Sequence, residues 1–171
     1  MQAPDPILIL RAQSGDRDAL DALLRHCQSP LHRYLIGLLG DAAAADDVLQ
    51  ETLFRIARKL RWLSQPALFR AWAFRIASRE ARRHLGRQRP FEPLDETALE
   101  SDPPPSFAFD AGTLRSAVSV LSPGSRAVIA LHYWEELPLA DIAAILDLPL
   151  GTVKSRLAYG LKQLRRIHDQ G

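Results

Sequence analysis

The chain has 171 residues and a formal net charge of +2, with 47% hydrophobic and 25% charged residues, which fits one globular domain or two small ones. Its apolar runs are too short to cross a bilayer, and no basic residue precedes the apolar patch of MQAPDPILILRAQSGD, which argues against a secretory leader. The single cysteine excludes an internal disulfide, so the expected compartment is the cytoplasm.

Leu and Ala fill 52 positions and Val, Ile and Thr only 18, which favours helix over sheet. Proline follows Asp5, Ser29, Gln65 and Ser122, each time just before an apolar-periodic run. Proline suits the first helical position, and Ser or Asp before it caps open amides. The pattern predicts helices near 6–13, 17–27 and 30–39, the last stopped by Gly40. Asp41 opens a longer helix to about Leu60, and Pro66 opens another ending near Gly86. Further helices are expected at 113–120, 123–134, Pro138–Leu146 and from Gly151 to about Ile167. No stretch reads as a strand, so the predicted class is all-α.

Charge divides the chain. Residues 1–90 carry 15 Lys/Arg and 9 Asp/Glu, residues 91–112 carry six acids and no base, and residues 113–171 carry seven bases and five acids. Five of the twelve prolines fall between Pro90 and Pro105. Proline lacks the amide donor that helix needs, so residues 88–112 read as a linker between a module at 1–87 and another at 113–171. Modules this small bury little surface alone, so each is expected to lean on a partner.

The most specific pattern lies in Pro138–Arg166. Ile142, Ala143, Ile145 and Leu146 give a short helix an apolar face. Asp147-Leu148-Pro149 then breaks it, and Asp tolerates the left-handed conformation of a tight turn. On a helical wheel Val153, Leu157, Gly160, Leu161 and Leu164 share one side. Lys154, Ser155, Ala158, Tyr159, Lys162 and Arg165 share the other. This describes a helix-turn-helix with a recognition helix for the DNA major groove, or an amphipathic hairpin with a charged outer face. Thr152 and the amides beside it suit a backbone phosphate. Arg156 lies on the flank, where it touches phosphate or braces the fold.

The N-terminal module has its own basic stripe. Arg75, Arg79, Arg82 and Arg83 lie within about 100° of arc, with Trp72 at the edge. Phe69, Phe74, Ile76, Ala77 and Ala81 cover the other side. Arg58, Lys59, Arg61 and Trp62 lie just upstream, before the connector Leu63-Ser64-Gln65. Cations beside exposed rings suit single-stranded nucleic acid, although Phe69 and Trp72 also fit a core. The helix from Asp41 carries early acids and late bases, a layout that suits the helix dipole and also a partner's contact face.

Taken together these residues resemble a sigma factor of bacterial RNA polymerase, of the small extracytoplasmic-function group. Ala45-Asp46-Asp47-Val48-Leu49-Gln50-Glu51-Thr52-Leu53-Phe54-Arg55 and Phe69-Arg70-Ala71-Trp72-Ala73-Phe74-Arg75-Ile76-Ala77 resemble the family's region two. Leu121-Ser122-Pro123 and Leu150-Gly151-Thr152-Val153-Lys154-Ser155-Arg156-Leu157 resemble its region four. The resemblance implies polymerase binding, on the clamp helices of the largest subunit, through Asp46, Asp47, Gln50, Glu51 and Arg55. It implies opening of the −10 element and capture of a flipped base by the connector near Trp62–Ala67 with Arg58, Phe69, Arg70, Trp72, Arg75, Arg79, Arg82 and Arg83. It implies −35 recognition by Thr152, Lys154, Ser155, Arg156, Ala158, Tyr159, Lys162 and Arg165. Core RNA polymerase, with its clamp helices and flap, and promoter DNA are the implied partners of a monomer. An anti-sigma factor, often membrane-anchored in the family, is the implied inhibitor. No metal or other cofactor is called for.

Ala158 and Tyr159 depart from the larger or basic residues common in the family. Ala158 offers only a methyl contact, for instance to thymine. Ala73-Phe74 replaces a commoner leucine-aromatic pair. An enzyme is a poor rival, because phosphate-cradling Gly loops and Gly-x-Ser-x-Gly elbows are absent and the five histidines lack ligand-pair spacing. Cys27 reads as packing. A stand-alone helix-turn-helix regulator explains 113–171 and leaves Asp46–Arg83 unexplained.

Overall fold

The computed structural model describes residues 1–88 and 121–168, and all regular structure among them is helical. The linker at 88–112 and the helix expected at 113–120 lie outside the described residues, Gln88 apart. Helix α1 (Pro6–Gln13) starts where the Asp5 carboxylate accepts from the Ile7 amide. Helix α2 (Arg17–Leu39) starts where Asp16 accepts from the Ala19 amide, and ends at Gly40 with φ 72°. Asp41 caps α3 (Ala42–Lys59) through the Ala43 amide. These are the side-chain acceptors that helix starts require, and Gly40 is the residue that enters the left-handed region without strain.

One expected boundary is absent. Ser29-Pro30 does not start a helix, and Pro30 sits inside α2. Leu23, Cys27, Leu31, Tyr34, Leu35 and Leu38 run as one buried stripe through the proline. A proline in a helix interior costs about 3 kcal/mol. Each large apolar side chain in the stripe contributes about 1.5–3 kcal/mol when fully buried, so the unbroken helix wins. Cys27 is part of this stripe, and burial pushes its thiol up to about 12.

Two short 3₁₀ turns, Leu60–Trp62 and Pro66–Leu68, link α3 to α4 (Phe69–Gln88). Helices α1 to α4 pack around Tyr34, Ile56, Phe69 and Phe74, all fully buried. The Tyr34 ring meets Phe74 edge-on at 5.5 Å, and its hydroxyl pairs with Ser78 Oγ at 2.8 Å. Burial pushes the Tyr34 phenol up to about 12.

The C-terminal module consists of α5 (Pro123–Ile129), a π turn (Ala130–Trp134), α6 (Leu139–Leu146) and α7 (Leu150–His168). The single helix expected over 123–134 thus changes its hydrogen-bond step at Ala130. Its core is Val128, Ile129, Leu131, Ile142, Ile145, Val153, Leu157 and Leu161. Gly160 lets α7 close on α5, since a Cβ there would stand 2.6 Å from Ile129 Cδ1. Asp147 takes φ 55° in the turn between α6 and α7, as its position predicts. No described helix is long and apolar enough to cross a membrane.

The two modules lean on each other. Helix α2 packs on α5, and α4 packs on α6. The π turn and its cap present Trp134 and Glu135 to the first module. The Trp134 ring lies over Gly37, where a Cβ would stand only 2.0 Å from Cζ3. Glu135 is 1% exposed and takes Arg33 Nη2 at 2.6 Å and the Met1 ammonium.

Candidate nucleic-acid interface

The outer face of α3 presents Asp46, Asp47 and Gln50 to solvent, with Phe54 and Arg58 further along. The helical spacing forces this, because Ala45, Val48, Leu49, Thr52 and Ile56 turn inward. Asp46 Oδ1 lies 2.8 Å from His32 Nε2 on α2. The Arg58 guanidinium sits over the Phe54 ring at 5.5 Å. Glu51 and Arg55 are less accessible, because they belong to a network with α4. Arg55 Nε lies 2.8 Å from Glu51 Oε1 and 2.9 Å from Glu80 Oε1. Arg83 also pairs with Glu80, a buried acid, and its Nη2 lies 3.8 Å from Glu51. Arg83 thus joins the α3 side of α4.

The connector after α3 is open. Trp62 is 65% exposed with Arg61 over its ring at 4.2 Å, and Leu68 is 51% exposed. Ser64, Gln65 and Ala67 are exposed as well. Phe69 is different. It is fully buried, so its placement among the DNA contacts is corrected: the ring is core. Position 69 falls on the same side of the wheel as Ala73 and Phe74, both also fully buried. Trp72 is half-buried, with its ring 6.0 Å from Phe69.

The basic stripe of α4 is formed, stays exposed, and is paired with the second module. Arg75 Nη2 lies 2.5 Å from Asp147 Oδ1, and Arg79 Nη2 lies 2.9 Å from Asp147 Oδ2. The Arg79 and Arg75 hydrogen bonds hold the Asp147 carboxyl below the usual carboxylate range. Arg82 donates to the Leu146 carbonyl at 3.0 Å. Arg70 donates to the Glu135 carbonyl, and its buried Nε has no partner. Four arginines of the first module therefore meet the loop and turn of the second. A cavity of about 100 Å³ lies in the same seam, with Tyr34, Ser78 and Arg82 on one side and Gly124, Ala127 and Arg156 on the other.

The outer face of α7 matches the wheel. Lys154, Tyr159, Lys162 and Arg165 are exposed, and Thr152, Ser155 and Ala158 are partly so. Arg156 turns towards α5, where its Nη1 would stand 2.9 Å from a Cβ on Gly124. This placement suits bracing of the fold, one of the two roles open to it. Periodicity alone missed Asp147 and Glu135 as partners of the arginines. It missed Gln13 as well, whose Nε2 donates to the carbonyls of Leu60 at 2.9 Å and Leu63 at 2.7 Å.

Two family models match the chain in succession. The family model "Sigma-70 region 2" matches residues 23–91, and "Sigma-70, region 4" matches residues 117–166. The chain is 33% identical to "ECF RNA polymerase sigma factor SigL" of Mycobacterium tuberculosis over 161 residues, covering 90% of this chain and 91% of that one. It is 30% identical to "RNA polymerase sigma-H factor" of Pseudomonas aeruginosa over 172 residues, covering 91% and 89%. Its fold is similar to that in a structure of CnrH in complex with the cytosolic domain of CnrY, with a TM-score of 0.71, 24% identity and 97% coverage of both chains. It is also similar to the sigma factor RpoE in complex with the anti-sigma factor NepR from Bartonella quintana, with a TM-score of 0.66, 22% identity, and coverage of 87% and 96%.

Proposed function

Given that this chain belongs to the sigma-70 family, as an extracytoplasmic-function sigma factor, we propose how its surfaces divide the work of starting transcription. It is an alternative sigma factor that directs RNA polymerase to promoters. The observation that carries this is the match to both regions, in order, on a chain similar to named sigma factors over about nine-tenths of its length.

Asp46, Asp47 and Gln50 form the polymerase contact, with Glu51 held behind them by Arg55, which Glu80 fixes in turn. The connector at Trp62–Ala67, with Arg58, Arg70, Trp72, Arg75, Arg79 and Arg82, takes the opened −10 strand. Cations follow its phosphates while the exposed ring offers stacking. Arg83 supports this surface from the Glu80 network. Lys154, Ser155, Ala158, Tyr159, Lys162 and Arg165 meet the −35 duplex, with Thr152 at a phosphate. Residues 88–112 serve as the segment that joins the two halves on the enzyme.

Neither half needs high affinity for DNA, because the polymerase holds both and raises their effective concentration on one promoter. Unstacking costs a few kcal/mol per step, which base capture and phosphate contacts offset. Bond making is left to the polymerase. In the arrangement seen here Asp147 and the Leu146 carbonyl engage Arg75, Arg79 and Arg82, and separation of the modules frees these groups for −10 phosphates. The protein that controls this chain is of the anti-sigma class, a reading supported by the complex of a similarly folded sigma factor with NepR.

The test is run-off transcription with sigma-free core polymerase and genomic DNA of the source organism. Discrete start sites that depend on this chain are expected, and they deliver the −35 and −10 sequences. Absence of new starts with competent enzyme and template overturns the reading in favour of a stand-alone DNA-binding regulator.

A further inference from the structure

Gln13 lies outside the residues matched by the region 2 model, which begins at residue 23. It closes helix α1, which is fixed by the buried Ile9 and Ala12 and by the Arg11–Asp16 pair at 2.6 Å. Asp16 in turn caps α2. The Gln13 backbone is therefore tied to the body of the first module. Its side chain crosses to the turn that follows α3. The carboxamide has two N–H donors, and it spends one on Leu60 O at 2.9 Å and one on Leu63 O at 2.7 Å.

These two carbonyls bracket the 3₁₀ turn that carries Trp62. Leu60 O already accepts from the Leu63 amide at 3.0 Å, so Gln13 completes a closed set of three hydrogen bonds around the turn. Leu60 is 2% exposed and Leu63 is 8% exposed, while Arg61, Trp62, Ser64 and Gln65 between and after them are exposed. The chain leaves Leu63 in an extended conformation, φ −74° and ψ 105°. The direction of the open connector is thus set at Leu63, and no other side chain of α1 donates to it.

We propose that Gln13 is a positioning residue for base selection at the −10 element. It holds the Leu60–Leu63 turn so that Trp62 and the connector meet the opened strand in one geometry. This rests on the reading of Trp62–Ala67 as the −10 surface. Without its two donors, Leu63 O loses its partner, Leu60 O keeps only the Leu63 amide, and the connector takes several orientations. Sequence preference then relaxes while the fold stands.

The experiment uses the full chain assembled with core polymerase. The probe is a labelled single-stranded oligonucleotide carrying the −10 sequence found by run-off mapping, with four variants at the base that opens. Gln13→Met keeps the length and removes both donors. Gln13→Lys keeps a donor at similar reach. For Gln13→Met we expect affinity for the preferred oligonucleotide to fall about 5- to 20-fold. We also expect the preference over the other three bases to shrink, with core-polymerase affinity, −35 duplex binding and thermal midpoint close to wild type. Gln13→Lys should recover part of the preference. Unchanged affinity and preference in Gln13→Met overturn the proposal. So does loss of polymerase binding in step with DNA binding, which would make Gln13 a general prop of the module. Absence of any base preference in the wild-type holoenzyme overturns the −10 reading itself, and the proposal with it.

Discussion

Phe69 opens a helix that carries four arginines of the basic stripe, yet its ring is fully buried in the core of the first module, with Trp72 as its ring neighbour. An aromatic residue near a nucleic-acid surface is either a stacking platform or a core anchor, and burial decides between them. Phe69→Ala removes a full ring from a packed site, so it should cost about 3–5 kcal/mol of stability. Urea unfolding of the full chain should show a lowered midpoint. The affinity of the variant that remains folded for single-stranded −10 DNA should stay near wild type. A large loss of DNA binding with an unmoved urea midpoint would return Phe69 to the recognition surface. Trp62 is the opposite case, because its ring is exposed and Arg61 covers only one face.

At the scale of the helix, much was legible from local chemistry. Asp5, Asp16 and Asp41 cap where an acceptor before an apolar run predicts, and Asp147 takes the left-handed turn. The two faces of α7 follow the wheel, with Val153, Leu157 and Leu161 inside and Lys154, Tyr159 and Lys162 outside. Pro30 was misread because a local rule competes with a long-range one. The proline favours a helix start, and the buried stripe from Leu23 to Leu38 favours continuity. The Gln13 contact was illegible for a different reason: its acceptors lie 47 and 50 residues along the chain, and one polar side chain leaves no periodic trace. The separate faces of α3 and α7 make separable variants. Lys154 is exposed on α7 and Asp47 is exposed on α3. Lys154→Ala removes a phosphate or base contact, so promoter binding by the holoenzyme should weaken and its salt slope should fall by about 1. Affinity for core polymerase should be retained. Asp47→Ala should lower polymerase affinity and spare −35 duplex binding. Equal polymerase affinity for wild type and Asp47→Ala would remove α3 from the contact.

In the proposed division of work, closure of the two modules engages the arginines of the −10 surface, and different contacts hold that closure with different strength. The Arg75–Asp147 and Arg79–Asp147 pairs are partly exposed, with side chains between 36% and 54% accessible. Pairs of this kind contribute about 0–1 kcal/mol each and weaken with salt. Asp147 titrates below the usual carboxylate value when paired, so its contribution is present at neutral pH. That contribution is lost as pH falls below the ordinary value of 3.8 towards the lowered one. Acid and salt therefore weaken the seam and open it only in part. The apolar seat of Trp134 on Gly37 and the buried Glu135 with Arg33 hold the rest. Gly37→Ala separates these contributions by sign. In a helix, alanine replaces glycine with a gain of about 1 kcal/mol. Here the new methyl would stand 2.0 Å from the Trp134 ring, so the ring must leave or the modules must part. The expected result is a larger radius of gyration by X-ray scattering and tighter binding of the full chain to single-stranded −10 DNA, because Arg75, Arg79 and Arg82 are released from Asp147 and the Leu146 carbonyl. Asp147→Asn should give the same changes at smaller amplitude, and 0.5 M salt should mimic Asp147→Asn in the scattering. An unchanged radius in Gly37→Ala with a raised thermal midpoint would mean that Trp134 moves aside and the seam is held by its polar contacts alone.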